Sequence, residues 1–218
     1  MKAARLAAVT AALVILGGNG ATLAADSRSV SSVNGSVKAE VGRSYEKLST
    51  VNGDVVVGRG ASADAAKTVN GAITIDEEAR IGTASTVNGS LRIGSGAAIA
   101  HDASTVNGNV QLAQRAQVGG NVSTVSGDVE LDGAQITGSI ITVNGDIDLS
   151  NGARVGGGIH VRKPNGGWGS RKAEEKVKVH VCSTCVIEGE LRFDRPAVLR
   201  VDSGGQVGPV VGEDVTRL

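Results

Sequence analysis

Thr50-Val51-Asn52-Gly53-Asp54-Val55-Val56-Val57 is followed by Thr68-Val69-Asn70-Gly71-Ala72-Ile73-Thr74-Ile75, and then, after an equal step, by Thr86-Val87-Asn88-Gly89-Ser90-Leu91-Arg92-Ile93. The tetrapeptide returns at Thr105 and Thr142, with an earlier Ser32-Val33-Asn34-Gly35 copy and a Thr124-Val125-Ser126-Gly127 variant. The valines of these seven copies, Val33, Val51, Val69, Val87, Val106, Val125 and Val143, are evenly spaced to within a single position. A fixed period of this length marks a stacked array, in which each unit buries its apolar face against its neighbours.

Within one period the residues after Asn-Gly alternate, as in Asp128-Val129-Glu130-Leu131, which is the pattern of a strand. A further element brings Ala and then Ile or Val before Gly, as in Ala79-Arg80-Ile81-Gly82 and Ala153-Arg154-Val155-Gly156. Each period therefore holds about three short strands. Asn-Gly is also the usual signal of a two-residue hairpin. A near-constant spacing of the copies, with three apolar elements per period, instead favours the corners of a coil. The expected fold is all-β: a single parallel β-helix (β-solenoid) of about 18–19 residues per coil.

In such a coil equivalent residues stack about 4.8 Å apart. The repeat valines are expected to form an internal apolar ladder. Asn34, Asn52, Asn70, Asn88, Asn107 and Asn144 are expected to form an amide ladder of the kind seen in cross-β structures. Gly35, Gly53, Gly71, Gly89, Gly108, Gly127 and Gly145 are expected to supply corners of positive or otherwise strained φ. Seven marked coils and two or three degenerate ones predict a rod of about 40 to 50 Å.

Composition agrees with a thin layered interior, since the 218 residues include 32 glycines but only one Trp, one Tyr and one Phe. Lys2 and Arg5, an apolar run from Leu6 to Leu16, and small residues ending at Ala24-Ala25 have the form of a secretory signal over residues 1–25. The cut is placed after Ala24 or Ala25, or the segment stays as an anchor; the run is too short to span a bilayer. This predicts a periplasmic or secreted protein with no transmembrane span in the mature chain. Without the signal the chain holds 20 basic and 22 acidic residues, a balance that argues against nucleic acid as a partner.

The regular solenoid covers 26–161 and is interrupted at 162–176 by a basic stretch containing Arg162, Lys163, Trp168, Arg171 and Lys172. Alternation resumes in 177–218, read as terminal coils and a cap. Trp168 is either a hook for sugar rings or a partner protein, with the flanking cations attracting acidic groups, or a cover for the apolar end of the rod. Cys182 and Cys185 are spaced for a local disulfide or inert paired thiols. Zinc would have His180 as a third ligand and no evident fourth, and intermolecular or redox chemistry is the remaining reading. Three histidines and an interrupted row of acidic residues after the Asn-Gly pairs form no concentrated catalytic cluster, so neither catalysis nor a cofactor is expected.

The steps Ala116-Gln117-Val118-Gly119-Gly120-Asn121-Val122 and Val186-Ile187-Glu188-Gly189-Glu190-Leu191-Arg192-Phe193 resemble the bactofilins, the polymer-forming cytoskeletal family. The Thr-Val-Asn-Gly-Asp steps at Thr50 and Thr142 are similar to repeat-bearing putative adhesins of bacteria. Together the resemblances cover residues 30 to 205. The first implies a right-handed three-faced β-helix that assembles end to end into nucleotide-free filaments and carries no catalytic residues. Bactofilins are typically cytoplasmic, whereas this chain opens with an export signal. Two functions are therefore expected in competition: an envelope scaffold that self-associates through solenoid ends, and an adhesin or binding module that recognises envelope polymer or an envelope protein through the Trp168 loop.

Overall fold

The alternating segment after each Asn-Gly corner becomes one strand of a ten-stranded parallel sheet, running from Val37–Ala39 through Val55–Val57, Ile73–Ile75 and so on to Val215–Arg217. The chain is a β-solenoid of about ten coils in the computed structural model, which describes residues 29–164, 176–212 and 214–218. No helix occurs among the described residues. The signal segment and Trp168, Arg171 and Lys172 lie outside the described residues. In this first face the apolar positions point inward as two ladders: Val55, Ile73, Leu91, Val110, Val129 and Ile147 stack in register, as do Val57, Ile75, Ile93, Leu112, Leu131 and Leu149. All twelve are buried.

A second sheet of 16 strands wraps the other two faces. In the early coils one bent strand serves both, as in Ser62–Lys67 and Arg80–Ser85. From Ala98–Ile99 and Ala103–Ser104 onward each coil has the expected three separate strands. The cause is one added residue: Ile81 and Ala84 are three apart, whereas Ile99 and Ala103, like Val118 and Val122, are four apart. That insertion at the corner between the second and third faces makes the longer steps of the repeat. The later return to the shorter step comes from a shortened first corner, Leu131-Asp132-Gly133-Ala134. Alanines at the first corner, Ala61, Ala79, Ala97, Ala116, Ala134 and Ala153, are fully buried where the faces converge.

At the Asn-Gly corner the structure corrects the valine expectation. Thr50, Thr68, Thr86, Thr105, Thr124 and Thr142 point inward, at 0–5% exposure, and the valines that follow them point outward. The hydroxyls of Thr50, Thr68, Thr86 and Thr105 each donate to the glycine carbonyl of the preceding corner at 2.9–3.0 Å. A buried hydroxyl with a partner costs little, and the alternation of a strand then turns the next residue to solvent.

The glycine expectation is also corrected. Of the seven corner glycines only Gly35, Gly53 and Gly127 have φ in the left-handed half, at 119°, 156° and 153°. Close stacking is the common requirement: a Cβ on Gly71, Gly89, Gly108 or Gly145 would lie 1.9–2.2 Å from the glycine carbonyl oxygen of the preceding corner. The amide ladder runs through Asn34, Asn52, Asn70, Asn88 and Asn107, each Nδ2 donating to the preceding Oδ1 at 2.9–3.0 Å. Ser126 then interrupts it, so Asn144 stands apart from the row, although the backbone bridges continue through both.

Candidate functional site: the C-terminal end of the rod

Among the described residues none covers the core layer of the last coil. Its strands Gln206–Val207, Val210–Val211 and Val215–Arg217 each have one partner strand among the described residues, Val186–Ile187, Leu191–Phe193 and Ala197–Val201 respectively. Inward positions that are fully buried along the rod become half-buried here, at Val201, Val207, Val210 and Val215, and Leu218 is 75% exposed. At the other end Ser29–Asn34 and Val37–Ala39 likewise have one partner strand each among the described residues. Every strand pairing among the described residues is parallel, so the edge strands at both ends run in the same direction.

Just before this end the repeat is broken, and a set of polar side chains fastens the coils across the break. The chain leaves the third face after Val161, where exposed Arg162 and Lys163 begin the basic stretch; the Arg162 N–H donates to the Thr142 carbonyl at 2.8 Å. In the next coil Phe193-Asp194-Arg195-Pro196 takes the place of Thr-Val-Asn-Gly. Buried Arg195 reaches back two coils, its Nη1 donating to the Val143 carbonyl and to Asn144 Oδ1. These acceptors are the ones the following asparagine would engage: Asn88, for example, donates its backbone N–H to the Val69 carbonyl and its Nδ2 to Asn70 Oδ1. Arg195 thus stands in for the corner that the excursion removes.

Two charged clusters stack on the outer surface of the same coils. On the first face Asp148, His180 and Arg200 are in register. His180 faces Asp148 through Nδ1 at 2.7 Å and Asp202 through Nε2 at 3.1 Å, while Arg200 Nε donates to Asp202 at 3.2 Å. Both ring nitrogens serve these carboxylates as donors only in the imidazolium form. The hydrogen bond to Asp202, then that to Asp148, accordingly raises the His180 pKa above 6.5, and His180 first and Arg200 after it hold Asp202 below the ordinary carboxylate value. On the third face His160 stacks over Arg192, and Asp194 accepts from both, at 2.7 Å and 3.0 Å. His160 and then Arg192 lower its pKa.

Cys182 and Cys185 form a disulfide with a Cα–Cα distance of 5.1 Å. They occupy the first and last positions of the turn that joins the first and second faces in the coils other than the one shortened at Leu131–Ala134. The turn is closed by Cys185 N–H donating to the Cys182 carbonyl at 3.0 Å, as Ala61 does to Gly58 and Ala153 to Ser150. A β-turn places its outer Cα atoms within about 7 Å, which is disulfide range, and Cys185 fills the buried slot that alanine holds in the earlier coils. Lys176 completes the fastening, with Nζ 3.1 Å from Thr216 Oγ1 and 3.7 Å from Asp214 on the terminal strand.

Sequence reasoning missed Arg195 and both histidine clusters. The signal was present: Arg192-Phe193-Asp194 and Arg200-Val201-Asp202 share an Arg-x-Asp pattern. The excursion lies between His160 and Arg192 but not between His180 and Arg200, and it hides their common one-coil spacing. Chemically the carboxylates and cations of these clusters engage one another, and no group of three or more His, Cys, Asp or Glu side chains among the described residues is placed to hold a metal ion. The first face also carries a broad open depression of about 530 Å³ lined by outward side chains including Arg92, Gln111, Glu130 and Asp148. Among the described residues no helix is long and apolar enough to cross a membrane. Comparison with protein-family models, with curated proteins and with solved structures finds no match to this chain.

Proposed function

We propose that this chain is an exported structural protein of the bacterial cell envelope, a scaffold that grows by end-to-end stacking of solenoid rods. The observation that carries the reading is the C-terminal layer, where among the described residues three strands have a partner on one side alone around half-buried Val201, Val207, Val210 and Val215. Unpaired edges of this kind are templates for another strand. A head-to-tail contact between opposite ends is heterologous and builds an open filament. The polar fastening of the last three coils supports the same reading, because a terminal coil that receives a partner must not fray. The resemblance to the bactofilins belongs with it. A second reading, a binding module that presents its basic loop to envelope polymer or protein, is favoured by the anchoring of both ends of that loop, Arg162 on the Thr142 carbonyl and Lys176 on Thr216.

Negative-stain electron microscopy and sedimentation of the full chain, purified as the cell processes it, test the choice. Filaments one solenoid wide that are lost in Val210→Asp and kept in Trp168→Ala support the scaffold. Elongated monomers at every concentration, or filaments that survive Val210→Asp in rods with wild-type circular dichroism, overturn it.

A further inference from the structure

The side of the rod carries a feature that neither the fold nor the ends account for. The repeat valines Val33, Val51, Val69, Val87, Val106 and Val125 are 39–59% exposed, and with half-buried Val143 they make a straight apolar ridge about 29 Å long at the β spacing. On one flank lies the asparagine row. On the other lies an outward row two residues earlier, Ser31, Ser49, Lys67, Ser85, Ser104 and Ser123, in register from coil to coil. The ridge and its flanks thus hold one charged side chain, Lys67.

Stacking identical residues at this spacing explains why the strip is neutral, since like charges directly opposite repel. It does not explain why the ridge is apolar. The serine row shows that a small polar residue serves equally well at a stacked outward position. Valine in all seven copies leaves about 400 Å² of continuous apolar surface uncovered, at the size above which such patches mark interaction sites.

We infer that this ridge is a lateral interface that pairs the rod, antiparallel, with a second copy of the same chain. Period selects the occupant. Valines at one-coil intervals interdigitate along their whole length only with a surface of the same interval, as in the dry interface of a steric zipper, and a second solenoid has it. Two ridges with their serine and asparagine flanks bury about 1,200 Å², at the lower limit of a stable specific interface. Charge selects the direction. A parallel in-register pair sets exposed Arg162, which follows Val143 along the ridge line, against its counterpart in the second copy, whereas a twofold axis at the central Val87 sets Val69 against Val106, carries each Arg162 beyond Val33 of the other copy and brings Lys67 near uncharged Ser104. The pairing uses the side of the rod and is independent of stacking at its ends.

The test uses the full chain carrying Val210→Asp, so that lateral pairing is read without end-to-end growth. Sedimentation equilibrium is expected to show a dimer, and adding Val69→Lys, Val87→Lys and Val106→Lys together is expected to raise its dissociation constant by at least about 100-fold through buried like charges. Should the triple variant lose its β circular dichroism, Val87→Lys alone places two charges at the twofold axis and serves in its place. A short bismaleimide, which spares the native disulfide, is expected to link Val87→Cys to itself. It is expected to link Val51→Cys to Val125→Cys in mixed samples but not Val51→Cys to itself, because the self-separation is about 19 Å at the β rise. A monomer at all concentrations, a dimer indifferent to the lysines, or self-linking of Val51→Cys overturns the inference. Filament loss on Val210→Asp with the dimer intact separates it from the end-stacking proposal.

Discussion

Gly89→Ala is the sharpest test of what the repeat glycines do. An ideal Cβ at Gly89 lies 1.9 Å from the Gly71 carbonyl oxygen and 2.4 Å from its carbon. Restoring ordinary contact opens the corner by at least about 1.3 Å. Four bonds cross that gap: Gly71 N–H to the Asn88 carbonyl at 3.0 Å, Asn88 N–H to the Val69 carbonyl at 2.7 Å, Asn88 Nδ2 to Asn70 Oδ1 at 2.9 Å, and Thr86 Oγ1 to the Gly71 carbonyl at 3.0 Å. Losing two or three of them at about 1 kcal/mol each, less the roughly 0.5 kcal/mol that alanine returns by restricting the unfolded chain, predicts destabilisation by about 2 kcal/mol. The control is Gly96, whose φ is +68° and whose added Cβ meets only Glu78 Cγ at 3.8 Å. There Asn, which tolerates the left-handed region, is expected to stay within about 0.5 kcal/mol of wild type, an ordinary range for an exposed site. Urea titration gives the free energies, and hydrogen exchange at 70–75 and 88–93 shows whether the loss is local, as expected of a repeat array. Gly89→Ala at wild-type stability, or Gly96→Asn as damaging as Gly89→Ala, would refute the steric account.

Arg195→Ala is expected to cost about 2–4 kcal/mol, because it strips a donor from the Val143 carbonyl and from Asn144 Oδ1 at a buried site. The double variant with Asn144→Ala should fall short of additivity by about 1 kcal/mol in a urea double-mutant cycle; strict additivity counts against the bridge. His180 should titrate above 6.5 by NMR and move down in Asp202→Asn, since the Asp202 hydrogen bond is the first cause of its raised pKa. The sign follows from linkage. A pKa raised in the folded state gives stability that is complete below the unfolded value of about 6.5 and lost as pH rises through the folded one. His180→Gln should therefore destabilise more at about pH 5.5 than at about pH 9, and equal effects at the two would remove the clamp. At the acid end Asp202, with its pKa lowered, gives stability that is present above about pH 3.9 and lost as pH falls through its folded value.

The coil and its period were legible because each repeat carries the same marks: alternation over Asp54 to Val57, an alanine at the first corner and Asn-Gly at the third. Phase was harder. Period-two alternation states that Thr68 and Val69 point opposite ways but not which points in, and apolarity alone chose valine. What decides it is the glycine carbonyl of the preceding corner, 2.9 Å from Thr68 Oγ1, a partner that exists only once the coils are stacked. Arg195 was invisible for a related reason. Its acceptors are 51 and 52 residues earlier, and they are open to it only because the chain leaves the corner after Val161. Cys182 and Cys185 were legible as a local pair; that they bracket the recurring turn, with Cys185 in the alanine column, required the register of Val186 with Arg154.

The contrast between the middle and the end of the rod has a single physical cause. In the asparagine and serine rows, where the outward residue itself repeats, each side chain stacks on a copy of itself, and a row of identical charges at about 4.8 Å would repel along its whole length. Those rows are therefore held by residues that can both donate and accept, asparagine on asparagine at the third corner, as in Asn70 on Asn52, and serine on serine after the first, as in Ser62 on Ser44. Once the repeat is broken, unlike residues stack and opposite charges become neighbours: Asp148 under His180, Asp202 beside both His180 and Arg200, and Asp194 beside both His160 and Arg192. Clusters of stacked charges thus form where the fold gives up its regularity, whereas the regular coils hold single pairs such as Arg59 with Glu77. The last three coils are where the rod ends, and a coil with one neighbour lacks the second set of backbone bonds that holds every other coil. Side-chain fastening in those coils replaces part of that missing support and leaves the terminal edge itself free to be paired.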